Sequence, residues 1–445
     1  MMPWFWILIA SVAGLGCSEA PPPRNLVLIV LDTTRVDRLS SYGYPVQTSP
    51  NLDALAEEGV LFETAVSNAS WTLPAMTGLF AGDYPTYAIF ANRLKQSLVE
   101  TIRSAGIRTA AFVEGGFVSE RFGFELGFDR FHDGARDDSN VSIEETFGNA
   151  TAWLRDNHSE RFFLVIHTYE SRTPYSRRDY TDGLDSGQLS ETFEPLDAAK
   201  IRAGRLAFGP TERTWVRALY DGGIAASDRS VGRLLETLEQ LGVRDQTAVV
   251  VTSDHGEDLG GRDPEWPGIH GDDLYDESLL VPLIIHDPSR DYPVKRVTTQ
   301  VRTIDTMHTI VDLLGLSPTE GLLGRTLVPL MNGTEANHRV AWSAVLRSEY
   351  LDHPRRFALR NGSHKLIMTP LNRGRLQIEL YDLASDPGER VNTAQEDPKV
   401  RTRLFKQLIT LRDGLRRSGR PGYRIDETDD TPGVAPQLRE LDNSE

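Results

Sequence analysis

The 445-residue chain carries a single cysteine, Cys17. No intramolecular disulfide and no cysteine-based zinc site can form from it. Basic charge is also scarce: 48 Lys and Arg face 64 Asp and Glu, a net charge of -16. A chain this acidic lacks the broad electrostatic footprint of a nucleic-acid binder. Its N-terminal apolar run, Pro3 to Gly16, has fourteen uncharged residues. That is short of the roughly 17–25 needed to cross a bilayer as a helix. What the chain does have is length and apolar content. At 39% hydrophobic it can bury a sizeable core, which excludes global disorder. Its length fits one large α/β domain with a smaller appendage.

The apolar run has the length of a signal-peptide core and ends in small residues just before Cys17. Residues 1–17 resemble a bacterial lipoprotein signal, with cleavage before Cys17 and acylation of its thiol. The segment departs from that pattern in having no Lys or Arg before the run, and Gly14 three places before the cysteine. An ordinary secretory signal is the alternative. Both readings export the chain, and the first anchors it to the membrane of a bacterial envelope. Residues 18–24, with Pro21–Pro23, read as a stiff spacer.

Asn25–Leu31 is a continuous apolar run, the pattern of a strand buried on both faces. Thr109–Val113, Phe162–His167, Thr247–Ser253 and Pro282–Ile285 repeat it. Helical patterns fall between them at Asn51–Glu58, Leu94–Ala105, Glu144–Asn157, Tyr220–Leu241 and Thr303–Leu314. Such alternation predicts an α/β domain over 25–332, with a mainly parallel sheet flanked by helices. Residues 176–213 are polar and without clear period, which predicts an insertion or lid. Three short antiparallel strands within Arg356–Tyr381 and a closing helix at Pro398–Leu415 predict a small α+β subdomain over 333–420. The acidic stretch 421–445 predicts disorder.

Open α/β sheets carry ligands beyond the carboxyl ends of their strands. Four clusters stand at such places. Asp32 follows the first strand, where a cation can reach it, although an Asp in that place alone is more often a helix cap. Asp254 and His255 follow the fourth and offer an oxygen and a nitrogen to one divalent ion, with Gly256 allowing a sharp turn. Thr72, two residues before Pro74, falls at the start of a helix and faces its positive end. It reads as a cap or as part of a seat for an anion. The fourth cluster is His270-Gly271-Asp272-Asp273-Leu274-Tyr275-Asp276-Glu277. His167, at a strand end, fits core packing as well as chemistry.

These clusters together resemble the sulfatase family of the alkaline phosphatase superfamily. The resemblance rests on Asp32-Thr33-Thr34-Arg35 with Ser41-Tyr42-Gly43 and Thr48-Ser49-Pro50-Asn51. It continues through Ser253-Asp254-His255-Gly256-Glu257, Leu274-Tyr275-Asp276-Glu277, Gly324-Arg325 and Tyr381-Asp382-Leu383 with Asp386-Pro387-Gly388-Glu389. Sulfatases oxidise a Cys or Ser to formylglycine, with Pro two residues on and Arg four residues on. The matching positions here are Thr72, Pro74 and Met76. Threonine cannot yield that aldehyde, so the sequence excludes a formylglycine mechanism. Thr33 replaces the family's second opening carboxylate, Arg172 stands where a His is usual, and Phe112-Val113-Glu114-Gly115-Gly116 replaces a Lys-Trp-His type segment.

Asp32, Thr72, Asp254 and His255 resemble the single-metal site of the related lipoteichoic acid synthases and phosphoethanolamine transferases, whose nucleophile is a metal-bound Thr. The resemblance implies one divalent ion, with Ca, Mg, Mn and Zn all open. Arg172 and His270 would clamp an anionic substrate, and His167 or His270 would protonate the leaving group. Three functions follow. One is a metal-dependent hydrolase of small-molecule, glycan or lipid anionic esters. The second is a phosphoryl or phosphoglycerol-type transferase. The third is a non-catalytic ligand-binding relative. Arg35 and Asp37 read as a pair within the fold.

Overall fold

A computed structural model describes residues 24–84, 93–134, 141–262, 270–317, 319–345, 355–371 and 375–417. The expected signal ending at Cys17, most of the spacer and the acidic tail expected at 421–445 lie outside the described residues.

The main sheet uses β1 (Asn25–Leu31), β2 (Val60–Phe62), β4 (Arg108–Val113), β5 (Arg130–Asp133), β6 (Phe162–Thr168), β7 (Thr247–Thr252), β9 (Leu283–His286) and β10 (Arg296–Val297). Between them lie β3 (Ala65–Val66) and β8 (Leu280–Val281), which form a small second sheet with β11 (Val301–Arg302). The eight main strands run in the order β10-β2-β9-β7-β1-β6-β4-β5. All pairings are parallel except those of β9 with β2 and β7. β1 sits between β6 and β7, and every residue of all three is buried. Central parallel strands need apolar side chains on both faces, which is why NLVLIVL reads as an unbroken run.

The helices are α1 (Pro50–Glu58), α2 (Thr72–Ala81), α3 (Val99–Ser104), α4 (Ile143–Asn157), α5 (Pro195–Arg202), α6 (Pro210–Gln240), α7 (Asp276–Leu279), α8 (Thr306–Leu313), α9 (Val328–Met331) and α10 (Pro398–Arg417). Leu26, Leu28 and Val30 face a core built with α2, α3, α8 and α9. Val27, Ile29 and Leu31 face one built with α1, α4, α5 and α6. The alternation follows from the strand's period of two. The stretch read as an aperiodic insertion holds α5, and α6 begins at Pro210, ten residues earlier than the pattern from Tyr220 suggests. Charged Glu212, Arg213 and Arg217 conceal the period of those first turns. Their helix nonetheless starts well, with Pro at its first position and Glu212 Oε2 accepting from Gly209 N at 2.9 Å.

The C-terminal unit is a four-stranded antiparallel sheet of β12 (Ala341–Val345), β13 (Arg356–Asn361), β14 (His364–Pro370) and β15 (Leu376–Asp382). β12 is one strand more than the sequence pattern indicates. One face packs on α10 through Leu404, Phe405 and Leu408. The other meets the main domain at Val66, Leu274 and Leu279. The seam is pinned by Lys365, which is fully buried. Its Nζ lies 2.8 Å from Asp276 Oδ1 and 2.9 Å from Glu389 Oε1. Arg360 Nε donates to Asp276 Oδ2 at 3.1 Å. Lys365→Ala leaves buried Glu389 without its cation and Asp276 with Arg360 alone, and such a break costs about 3–5 kcal/mol. Urea denaturation checks this, and a loss under about 1 kcal/mol would show that the network is not holding the seam.

Candidate metal and catalytic centre

Four side chains converge where the central strands end. Asp32 directly follows β1, and its backbone N–H continues the parallel ladder to Thr168 O at 3.0 Å. Asp254 and His255 follow β7 after Ser253. Thr72 is the first residue of α2, one position inside the cap held by Trp71. All ten residues of α2 are buried, so the helix end is held rigidly over the sheet. Thr72 Oγ1 donates to Asp32 Oδ2 at 3.0 Å and lies 3.3 Å from His255 Nε2.

The turn after β7 is tightly built. Asp254 Oδ1 accepts from His255 N at 2.8 Å and from Thr33 N at 3.2 Å. A Cβ on Gly256 would stand 2.1 Å from Glu277 O, so only glycine allows the two backbones to touch. His255 Nδ1 lies 2.8 Å from the carbonyl oxygen of Gly256, which can only accept. Nδ1 therefore carries the proton, and the bare Nε2 faces the cluster. Burial, ahead of the neighbouring charges, holds the His255 imidazole below its usual range.

Asp32 Oδ1 and Asp254 Oδ2 are buried with no hydrogen-bond partner. Two orphaned carboxylate oxygens beside a bare imidazole nitrogen are costly unless a cation is to be shared. Ligand atoms of Asp32, Asp254 and His255 lie within 4.8 Å of one another. Burial and the charge of Asp32 push the Asp254 carboxyl up to about 7. Burial pushes Asp32 the same way, but His167 beside it and the charges of His255 and Arg172 overcome it and hold Asp32 low. The donor set fits one divalent ion: carboxylates and hydroxyl suit Ca, Mg or Mn, and imidazole suits Mn or Zn.

A family profile described as Sulfatase matches residues 24–316. The chain belongs to the sulfatase family. Residues 271–414 also match a profile described as N-sulphoglucosamine sulphohydrolase, C-terminal. The chain is 26% identical to an N-acetylgalactosamine-6-sulfatase of Canis lupus familiaris, over 76% of this chain and 71% of that one. It is 25% identical to a delta 4,5-hexuronate-2-O-sulfatase of Bacteroides thetaiotaomicron, over 94% of each. Among solved structures, a phosphonate monoester hydrolase of Agrobacterium radiobacter superposes with a TM-score of 0.69 at 22% identity, covering 88% of this chain and 96% of that one. The sulfatase family consists of metal-dependent sulfuric-ester hydrolases, and the Asp32, Asp254 and His255 triad suits that dependence.

The remaining site residues fall around the cluster. His167 is fully buried, with Nε2 3.5 Å from Asp32 Oδ2, and its ring meets Tyr169 edge-on at 4.7 Å. Arg172 lies over the Tyr169 ring at 5.3 Å. Burial works against its charge, but Asp32, Tyr169, Glu257 and Asp254 more than offset this, so the guanidinium stays charged. His270 packs 4.5 Å from the His255 ring, and its Nδ1 lies 3.0 Å from Glu257 Oε1.

The family's departures also have physical places. Met76 is buried in the core beneath α2, so that position faces packing rather than substrate. Thr33 sits in a left-handed conformation with φ +59°. Its hydroxyl donates at 2.8 Å to Ser171 O and turns away from the cation position. Arg35 pairs with Asp37 at 2.8 Å and reaches Glu277 at 3.2 Å, an anchor within the fold.

Two acids at this site escape sequence reasoning. Glu257 is fully buried, and its other oxygen accepts from the Tyr175 hydroxyl at 2.8 Å. Burial opposes its charge, yet His270 and the Tyr175 hydroxyl hold it below the usual carboxylate range. Its place two residues after His255 was the available signal. Glu114 accepts from Tyr169 N at 2.6 Å, and burial pushes it up to about 7. Nothing local in Phe112–Gly116 marks it.

Proposed function

We propose that this protein is a metal-dependent hydrolase of anionic esters, sulfate or phosphate, whose nucleophile is the Thr72 hydroxyl rather than a formylglycine. The observation that carries this reading is Thr72 Oγ1, at 3.0 Å from Asp32 Oδ2 and 3.3 Å from His255 Nε2, beside two unpartnered carboxylate oxygens. The cluster would hold one divalent ion through Asp32, Asp254, His255 and Thr72. When bound, that ion supplies Lewis-acid polarisation of the ester oxygen and acidifies the hydroxyl.

The chain's own groups perform the rest. Thr72 Oγ1 gives its proton to Asp32 Oδ2 and attacks sulfur or phosphorus. The bond to the ester oxygen breaks, and His270 protonates the departing alkoxide. Glu257 Oε1, 3.0 Å from Nδ1, fixes the ring for that step. Arg172 holds the non-bridging oxygens. Water then displaces Thr72 Oγ1 from the Thr72 ester, giving its proton to the now neutral His270. Thr72 recovers its own proton from Asp32. His167 orients Asp32 from the strand side.

Phosphoryl transfer is the second reading, and the hydroxyl itself favours it. An aldehyde-derived catalyst can shed its bound group by elimination, whereas a threonine ester leaves only by displacement at the central atom. Phosphorus accepts that attack readily. Glycan sulfates of the kind the curated relatives' names describe are the first substrates to try. The exported location and a Cys17 lipid anchor in a bacterial envelope belong to the same proposal.

Purified protein assayed with paired sulfate and phosphate mono- and diesters, each with Mn, Mg, Ca and Zn, tests the reading. Turnover that requires both metal and the Thr72 hydroxyl supports it. Metal binding without turnover of any ester overturns it in favour of a ligand-binding relative.

A further inference from the structure

A cavity of about 870 Å³ opens between α6, the loop after β1 and the C-terminal loop at Pro387–Arg390. It does not include the metal cluster. Arg35, Glu277 and the Glu257 backbone form a wall between the two, with Arg35 Nη1 bonded to Glu257 O at 2.6 Å and Glu277 at 3.2 Å. Beyond that wall, on the side away from the cavity, Glu257 reaches His270.

Five arginines line it, Arg35, Arg38, Arg217, Arg262 and Arg390, beside an equal number of carboxylates. Two of these carboxylates are neutralised from behind. Asp276 and Glu389 face the cavity while pairing with Arg360 and Lys365 inside the seam. Asp37, Asp221 and Glu277 remain, and these engage Arg35 and Arg38. Arg262 lies 3.5 Å over the Tyr275 ring and bonds Tyr381 at 3.0 Å. Arg390 donates to backbone carbonyls at Gly261 and Arg262.

Arg217 is different. Its Nε is buried without a hydrogen-bond partner. Burial, and then the like charges of Arg38, Arg35 and Arg213, work against its charge more strongly than Asp37 supports it. Thr214, Arg217, Ala218 and Asp221 recur at helical spacing along the α6 face that lines the cavity. Unpaired positive charge in a cavity of this size calls for an anion. Tyr44 and Tyr180 border the same space.

We infer that this cavity is a second oxyanion site, separate from the metal cluster, which takes a sulfate or phosphate group through Arg217. The group arrives either as a free ion or on a sugar ring.

Isothermal titration of the metal-loaded full chain tests this, with inorganic sulfate, inorganic phosphate and a sulfated disaccharide as probes. Arg217→Gln is expected to weaken one binding event at least tenfold, while Asp254→Asn leaves that event in place. Thr214→Glu adds a carboxylate at an exposed position of the same face. It should weaken the same event, so the outcome does not depend on one variant's folding. Arg217→Lys should retain most of it. Tighter binding of the disaccharide than of the ions would support a ring-borne group, and equal binding a free ion. Unchanged binding in both Arg217→Gln and Thr214→Glu overturns the site, as does loss of all anion binding in Asp254→Asn. Because the readout is binding, failure of ester turnover leaves this result standing on its own.

Discussion

Thr72→Ala is expected to lower ester turnover by at least about 10³-fold while metal stays bound. The hydroxyl is the only group in the proposal that forms a bond to the substrate, so nothing else replaces it at that point. Three metal ligands persist without it: Asp32, Asp254 and His255. The fold should persist as well. Alanine is the best helix former, and α2 keeps its buried face. Initial rates with matched nitrophenyl sulfate and phosphate, beside metal analysis of the same sample, check the outcome. Thr72→Ser should recover much of the rate because it restores the hydroxyl. Sulfate turnover that survives in Thr72→Ala sinks Thr72 as the nucleophile and hands the attack to water.

The second large effect concerns the ion itself. Asp254→Asn is expected to weaken metal affinity by more than about 100-fold, since even outer-shell changes cost 10–100-fold. The asparagine carbonyl can still accept from Thr33 N and His255 N, as Asp254 Oδ1 does. What changes is Oδ2, the unpartnered oxygen turned into the cluster, which becomes a neutral amide nitrogen. The wild-type pair of carboxylates is strained without a cation, because burial and Asp32 push Asp254 up to about 7. The metal-free variant should therefore be at least as stable as the metal-free wild type, and only the metal-loaded proteins should differ. Because proton and cation compete for the same oxygens, wild-type affinity should rise from pH 6 to pH 8. Thermal melts with and without Mn separate the two effects. Equal metal content in variant and wild type refutes the ligand assignment.

How much of this was legible depended on what each residue faces. β1, β4, β6 and β7 were readable because strands covered on both faces need unbroken apolar sequence. β2, β5 and β10 were not, since edge or very short strands carry too few residues to show a period. The early turns of α6 hid for the opposite reason. Its first turns carry charged Glu212, Arg213 and Arg217, the last of which lines the cavity, and these interrupt the apolar period. Asp32, Asp254 and His255 could be found from their position at strand ends alone. Thr72 needed the Pro74 signal to place it at a helix start, and the structure sets it one residue inside the cap. Glu114 and Tyr169 act at the site through contacts between distant segments, which no spacing rule records.

The Lys365 seam has one more consequence. Asp276 N donates to Glu389 of the C-terminal unit, while Gly256 N and Glu257 N donate to Ser278 O and Glu277 O. The turn presenting His255 is thus laced to a short helix that the C-terminal sheet clamps. Ligand geometry at the cation and docking of the rear sheet then rise and fall together. The two parts form one mechanical unit: the appendage acts as the buttress that keeps a strand-end turn at the right height, and no smaller fragment ending before β12 can be expected to hold the centre in shape.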